Sequence, residues 1–225
     1  TTVKDGSGKI VSYKNLNVVG ERLRQRLIRR RKADVEIQLP ARTDQNLFVP
    51  MTPQQRELHD KFRVSVAQLV SKWQRMHFLS DKDRKRMLLL LSQIRMVCDS
   101  TYILDQETRY DTKVDETMNI IRNVVESGDE KVVVFSQWER MTRLVASELD
   151  KAGIGYSSLS GTVPSEKRNI LIRDFWENPD CRVFVSTDTG STGLNLQTAS
   201  LIINLDIPWN PAVLEQRIGR IYRIG

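Results

Sequence analysis

The fold is decided by residues 131–160, which read KVVVFSQWERMTRLVASELDKAGIGYSSLS. This stretch opens with an apolar run, from Lys131 to Phe135, of the kind found in strands that are buried on both faces. The residues from Trp138 to Ala152 have the apolar spacing of a helix, which Gly153 ends. The segment from Tyr156 to Ser160 predicts a second strand. The stretch is therefore a strand, a helix and a strand.

The same alternation continues on both sides of this stretch. We predict helices over 112–127, 164–176 and from 210 onward, and strands over 182–187 and 199–205. Strands that alternate with helices predict an α/β fold with a parallel sheet and right-handed crossovers. In such sheets the working residues lie on the loops at the carboxyl ends of the strands.

The N-terminal half has a different pattern, in which helices dominate. We predict a basic helix over 16–35, an extended connector over 36–51, and two helices that begin at Thr52 and Ser80 and run to about residues 79 and 97. Residues 99–112 read as a polar connector. These helices form an α-helical appendage that is distinct from the α/β part.

The chain is strongly basic. Its 225 residues carry a formal net charge of +7, and residues 1–36 hold ten Lys or Arg against four Asp or Glu. Such a charge favours a polyanionic partner, most simply a nucleic acid. A solvated helix face would give the same local count of charges.

Cysteine and hydropathy patterns exclude several classes of protein. The two cysteines, Cys98 and Cys181, are far apart in sequence, which argues against a disulfide framework and fits a reducing compartment. With only two histidines and no CxxC pair, we expect no metal site. No apolar run approaches the length that spans a bilayer, and the start has no signal peptide, so we expect no membrane partner.

Small polar residues and glycines follow all four predicted strands of the α/β part. Backbone N–H groups at helix starts bind phosphate oxygens readily, and phosphate contacts position a protein without reading sequence. One such loop also describes any turn, but four on one sheet edge indicate a phosphate-binding surface. We therefore predict that this surface contacts a DNA backbone through Ser136, Gln137, Gly161, Thr162, Ser186 and Thr187.

Two arginines near the end of the sequence suggest nucleotide chemistry. Arg220 and Arg223 are three residues apart, so they would share a face if the helix continues. Two guanidinium groups on one face can reach a triphosphate together and stabilise the charge of its transition state. An arbitrary Arg-x-x-Arg pair is more often an exposed helix face. Arg217 lies off this face, and we expect it to tolerate alanine better.

Several separated segments resemble one family. Residues 216–223, QRIGRIYR, resemble helicase motif VI; residues 186–195 resemble motif V, and residues 132–138 resemble motif IV. The chain is similar to the second lobe of superfamily 2 helicases and, within them, to the Swi2/Snf2 ATPases. The segments 135–137, 193–196, 205–211 and 223–225 carry that closer resemblance, as do residues 27–40 and 94–99 upstream. Asp188 and Gly219-Arg220-Ile221-Tyr222-Arg223 look more like prokaryotic members than like eukaryotic remodellers.

The resemblance implies a RecA-like parallel sheet with helices on both faces. It implies that residues 1–50 are the end of lobe 1 and a connector, that residues 51–111 are a helical insertion, and that residues 112–225 are lobe 2, truncated at its C-terminus. Arg220 and Arg223 would be arginine fingers, Gln216, Gly193 and Asn195 would bind ATP, and Trp209 would lie near the minor groove of DNA. The implied activity is ATP-driven translocation on double-stranded DNA that remodels protein–DNA complexes.

The sequence contains no P-loop. We therefore expect ATP with Mg²⁺ to be bound mainly by lobe 1 of the same polypeptide, and the present chain alone to be inactive. A DNA-bound complex such as RNA polymerase is a further candidate partner. The compartment would be cytoplasmic and nucleoid-associated in a prokaryote, or nuclear in a eukaryote. Two alternatives stay open: a lobe of a strand-separating helicase, and a non-catalytic nucleic-acid-binding module.

Overall fold

A computed structural model describes residues 2–8, 10–24, 42–190 and 193–222. The chain divides into two compact units, Thr1–Ala41 and Arg42–Arg223. In the first unit, strands β1 (Thr2–Lys4) and β2 (Ile10–Tyr13) form an antiparallel hairpin, which is followed by helix α1 (Leu16–Arg24). The sequence patterns did not predict the hairpin. The rest of the basic helix predicted over 16–35 lies outside the described residues.

The second unit begins with an extended segment, residues 42–51, and a pair of packed helices. Helix α2 (Pro53–Met76) begins at a capping box, in which the Thr52 hydroxyl accepts from the Gln55 amide and the Gln55 side chain accepts from the Thr52 amide. Helix α3 (Asp81–Asp99) begins at Ser80, as predicted. The buried Gln55 side chain also donates to the Val97 carbonyl at 2.6 Å, so it ties the start of α2 to the end of α3.

The predicted polar connector contains a short helix, α4 (Tyr102–Asp105). After it come α5 (Lys113–Ser127), β3 (Val132–Ser136), α6 (Glu139–Ala152), β4 (Gly155–Leu159), α7 (Ser165–Glu177), β5 (Cys181–Thr187), β6 (Leu201–Asn204) and α8 (Pro211–Ile218). All eight were predicted to within about two residues, except that β6 is shorter than expected and α8 ends sooner. Helix α6 ends at Gly153, whose φ of 67° favours glycine.

Strands β3 to β6 form a parallel sheet in the order β4-β5-β3-β6. The central strands β3 and β5 are buried on both faces because helices cover both sides. One face packs against α5 and α6, through side chains such as Met118 and Met141. The other packs against α7, through Phe175, and against the segment 194–199. The fold is therefore the predicted RecA-like α/β sheet with helices on both faces and a helical appendage.

Both cysteines are free thiols. Burial raises the pKa of the Cys98 and Cys181 thiols, so neither is primed for reaction at neutral pH. None of the helices in the described ranges is both long and apolar enough to span a bilayer.

Candidate functional site

The four loops that follow β3 to β6 lie at one edge of the sheet, because the strands are parallel. In the order of the strands across the sheet, they are residues 160–164 after β4, 188–200 after β5, 137–138 after β3 and 205–210 after β6. The sequence prediction of a common edge is confirmed by this strand order. Hydrogen bonds between the loops then decide which side chains face outward.

The loops after β3 and β6 are joined by the carboxylate of Asp206. Its Oδ2 accepts from the Ser136 hydroxyl at 2.6 Å and from the backbone N–H of Gln137 at 2.8 Å. The Ser136 hydroxyl in turn accepts from the Trp138 amide at 3.1 Å. Because the Ser136 side chain is fully buried, this network fixes the backbone of the loop and leaves its neighbour Gln137 exposed.

Arg217 on α8 is a buried connection between the loops after β5 and β6. Its guanidinium donates to Asp188 through Nε at 2.5 Å and Nη2 at 2.9 Å, and to Asp206 Oδ1 through Nη2 at 3.0 Å. Its Nη1 donates to the Asp206 carbonyl at 2.8 Å, and its Cζ lies 5.8 Å from the centre of the Phe135 ring. Burial alone would lower the pKa of Arg217, but the hydrogen bond to Asp188 and the charge of Asp206 raise it.

Only 1% of Arg217 is exposed, which argues against the expectation that it tolerates alanine better than Arg220 and Arg223. The sequence spacing placed Arg217 on a different helix face from Arg220 and Arg223. Spacing alone does not reveal which groups pack against the face that carries Arg217. Removal of the guanidinium would leave two carboxylates without their buried cation.

The loops after β4 and β5 pack too closely for side chains at two positions. A Cβ atom at Gly190 would lie 2.6 Å from the Leu159 carbonyl oxygen, and one at Gly161 would lie 2.8 Å from the Thr189 hydroxyl. The Ser186 hydroxyl donates to that same Leu159 carbonyl at 3.1 Å. Glycine is therefore required at position 190, where a Cβ atom would meet backbone; at position 161 the Thr189 side chain would have to shift.

The structure separates the predicted DNA-contacting residues into two groups. Gln137, Gly161 and Thr162 are exposed, and Trp209 is 75% exposed. The side chains of three others are buried, and this corrects the prediction that they face DNA: Ser136, Ser186 and Thr187. The hydroxyls of these three bond within the protein because the loops fold back over the strand ends.

The predicted nucleotide-facing residues lie where α8 ends. Helix α8 stops at Ile218, and residues 219–222 continue in turns, so the helical face predicted for the two arginines does not extend to Arg220. The Arg220 carbonyl accepts from the Leu196 amide at 3.0 Å, which brings Arg220 next to the loop that holds Gly193 and Asn195. Gly193, Asn195 and Gln216 are exposed, and Arg220 is half-buried. Arg223 lies outside the described residues.

The family model described as "Helicase conserved C-terminal domain" matches residues 112–225, and the one described as "SNF2-related domain" matches residues 10–103. The chain belongs to the helicase C-terminal family, in its Swi2/Snf2 branch. It is 27% identical, over 94% of its length, to the Putative ATP-dependent helicase/translocase YwqA of Bacillus subtilis. It is 29% identical, over 88% of its length, to the SWI/SNF-related matrix-associated actin-dependent regulator of chromatin subfamily A member 1 of Mus musculus.

This Swi2/Snf2 chain spans 23% of the length of the Bacillus relative and 20% of the mouse relative. Among solved structures, it resembles the Sulfolobus solfataricus SWI2/SNF2 ATPase core in complex with dsDNA, with a TM-score of 0.63 and 24% identity. That match covers 77% of this chain and 36% of the Sulfolobus chain. The fold and the helicase-like ATPase family therefore agree with the resemblance found in the sequence.

Arg95 on α3 is a residue of this Swi2/Snf2 chain to which the sequence patterns gave no role. Its Nη1 donates to Gln137 Oε1 at 3.0 Å, and its Nη2 donates to the Ile207 carbonyl at 2.8 Å. Its Cζ also lies 5.4 Å from the centre of the Trp209 ring. Residues 94–99 carried part of the family resemblance, and that was the only signal for Arg95 in the sequence.

The described part of this Swi2/Snf2 chain contains no group of three or more His, Cys, Asp or Glu side chains that could hold a metal ion. The carboxylates at the sheet edge, Asp188 and Asp206, are bound by Arg217 instead. Within the described ranges, these carboxylates therefore do not fit a Mg²⁺ site.

Proposed function

We propose that this chain is the second motor lobe of an ATPase that translocates on double-stranded DNA and remodels protein–DNA complexes. One observation carries the proposal: groups suited to two ligands occupy the loops of one sheet edge. Exposed Gln137, Thr162 and Trp209 suit a DNA backbone, and Arg220 is bonded to the loop of Gly193 and Asn195. The net charge of +7 supports a polyanionic ligand.

ATP would bind between this lobe and a P-loop lobe of the same polypeptide. In that arrangement residues 1–50 end lobe 1, residues 51–111 are a helical insertion, and residues 112–225 form lobe 2. The P-loop lobe would hold the phosphates and Mg²⁺. Arg220 and Arg223 would act as arginine fingers on the γ-phosphate, and Gln216, Gly193 and Asn195 would line the nucleotide from this side.

DNA would be held by the exposed members of the loops. Gln137 and Thr162 offer side-chain donors, Gly161 lets a phosphate approach the backbone, and Trp209 offers an exposed ring. Ser136, Ser186 and Thr187 would support these loops from below. The complex remodelled would be one bound to duplex DNA, and RNA polymerase is one candidate.

Titration of duplex DNA with the 225-residue chain tests the DNA half of the proposal. We expect Kd values of about micromolar or weaker that are similar for unrelated sequences and weaken steeply with salt. Trp209→Ala and Gln137→Ala should each weaken binding about three- to tenfold. Trp73→Ala is the matched control, because Trp73 is an exposed tryptophan on α2, away from these loops.

Four outcomes would contradict the proposal. Binding that is independent of salt, or strongly selective for one sequence, would exclude a backbone contact. A Trp73→Ala defect equal to that of Trp209→Ala would place the DNA elsewhere. DNA-stimulated ATP hydrolysis by the chain alone would contradict a lobe that lacks the P-loop.

A further inference from the structure

Arg95 joins the helical pair to both loops that carry the exposed Gln137 and Trp209. It lies on α3, 42 residues before Gln137 and 112 residues before Ile207. One guanidinium nitrogen reaches the loop after β3, and another reaches the loop after β6. The same group lies 5.9 Å from the centre of the Trp138 ring and 5.4 Å from that of Trp209. Arg95 therefore holds the outer parts of two loops that Asp206 joins at their base.

The chemistry of Arg95 sets the orientation of the side-chain amide of Gln137. A guanidinium only donates hydrogen bonds, so the amide must present its oxygen, Oε1, to Arg95. The amide nitrogen of Gln137, with its two N–H donors, is then directed away from the arginine. A phosphate oxygen only accepts, so a glutamine held in this orientation is prepared for a phosphodiester.

A similar constraint applies to Trp209. Trp209 is 75% exposed, and such a side chain would exchange between rotamers unless one face of its ring were held. The Arg95 guanidinium over the ring supplies an attraction that is stronger for tryptophan than for other aromatic residues. The carbonyl of Ile207, two residues earlier, is fixed by the same guanidinium.

We propose that Arg95 is a positioning residue that orients the Gln137 amide and the Trp209 ring for the phosphodiester backbone of duplex DNA. The inference rests on the proposed function, because DNA is taken as the ligand of these loops. It also gives the pair of helices α2 and α3 a role, since Arg95 on α3 fixes the positions of the loops after β3 and β6 relative to each other.

The test is a double-mutant cycle on duplex affinity, measured with a fluorescent duplex and the 225-residue chain. Arg95→Ala should weaken binding about three- to tenfold. Arg95→Lys should weaken it by a similar factor, because an ammonium keeps the charge but cannot bond both loops as a planar fork does. Arg84→Ala, which removes an exposed arginine from the same helix, controls for net charge and should bind like the wild type. Thermal unfolding of each variant identifies any loss of fold.

A purely structural or electrostatic role for Arg95 predicts a different cycle. If Arg95 acts only through Gln137 and Trp209, Arg95→Ala should weaken binding less in a Gln137→Ala or Trp209→Ala background than in the wild type. It should add little to the defect of the variant that carries both Gln137→Ala and Trp209→Ala. Gln137→Glu should keep the bond to Arg95 but lose the amide donors, and so should bind DNA more weakly than Gln137→Ala. Fully additive defects, or wild-type affinity in Arg95→Lys, would overturn the proposal.

The failure of this inference can be distinguished from that of the proposed function. If Gln137→Ala and Trp209→Ala leave DNA affinity unchanged, then the DNA-contact assignment itself is wrong. If those variants bind weakly while Arg95→Ala binds normally, the loops contact DNA but Arg95 does not position them.

Discussion

Arg217 is the side chain that determines the shape of the sheet edge. It is bonded to Asp188 and Asp206, which follow two different strands, and it lies against the buried ring of Phe135. Asp206 in turn accepts from the Ser136 hydroxyl and from the backbone N–H of Gln137, so one ion-pair network fixes three of the four loops. Arg217 therefore holds these loops together and does not itself face outward, since its guanidinium is enclosed.

Replacement of Arg217 should destabilise the fold. Removal of one partner from a buried ion pair costs about 3–5 kcal/mol, because the other charge, here the Asp206 carboxylate, stays buried without its cation; Asp188 is partly exposed and loses less. Arg217→Ala should therefore lower the free energy of unfolding, measured by urea denaturation, by that amount. Arg217→Lys should also destabilise, since a single ammonium cannot replace bidentate bonding to Asp188 together with a bond to Asp206.

The control is Arg122→Ala, at an exposed arginine on α5, which should change the free energy of unfolding by no more than about 0.5 kcal/mol. Equal stability of the Arg217 and Arg122 variants would show that the network contributes nothing to the fold.

Residue types and spacing predicted that these loops lie together at one edge of the sheet, but not which of their side chains are exposed. Ser136, Ser186 and Thr187 were found because small hydroxyls follow strands, and all three are buried. Their partners explain the error: Asp206 lies 70 residues from Ser136, and Leu159 lies 27 residues from Ser186. Contacts over such distances in sequence leave no local pattern. For the same reason, no sequence pattern indicated the bonds that Arg95 and Arg217 make.

At the scale of elements, Lys113 connects the start of α5 with the end of α3 and with the loop after β6. It is the first residue of α5, and its Nζ donates to Asp99 at the end of α3 and to the Leu205 carbonyl after β6. Only 2% of Asp99 is exposed. Burial raises the pKa of Asp99 to about 6, and the Lys113 charge and hydrogen bond only partly oppose this; nearby Asp206 raises it further and Arg95 lowers it.

This raised pKa makes the stability of the chain depend on pH. Asp99 binds its proton more tightly in the folded state than in the unfolded state, so its contribution to stability is largest in acid. The free energy of unfolding should fall as the pH rises from about 4 to about 6, by about 2–3 kcal/mol from this group. Above that window the loss is complete and the contribution stays constant.

Urea denaturation of the wild type and of Asp99→Asn across pH 4 to 7 isolates this contribution, because other groups titrate in both proteins. The difference between the two free energies of unfolding should change across the window with the stated sign. A difference that stays constant with pH would contradict the raised pKa.

Helices and strands with strong periodicity were predictable, and the exceptions have physical reasons. Thr52, Ser80 and Gly153 mark ends of helices through their own caps, which are local signals. Helix α8 ends at Ile218, although no strong helix breaker precedes Gly219. The residues after it turn toward the loop that follows β5, where the backbone N–H of Leu196 donates to the Arg220 carbonyl. The short, mostly exposed β1–β2 hairpin has too little apolar alternation to be recognised.

At the scale of the whole molecule, the proposed function makes this chain half of a nucleotide site. A RecA-like sheet places the exposed loops at the carboxyl ends of its parallel strands, and Arg220 is bonded to one of these loops, so movement of this lobe would move both groups together. We propose that ATP-driven closure against a P-loop lobe shifts the DNA backbone held by Gln137 and Trp209. Under this proposal, Arg220 contacts the nucleotide and the exposed loops contact DNA.

The most direct test of this division is DNA-stimulated ATP hydrolysis by the two-lobe protein that carries Arg220→Ala, with duplex affinity measured in parallel without nucleotide. We predict that turnover falls by about 10³- to 10⁵-fold, as on removal of arginine fingers in other nucleotide hydrolases, while affinity changes by less than about twofold. Arg122→Ala is the control and should retain both properties. Near-normal turnover of Arg220→Ala together with lost DNA affinity would contradict this division and make Arg220 a contact of a nucleic-acid-binding module.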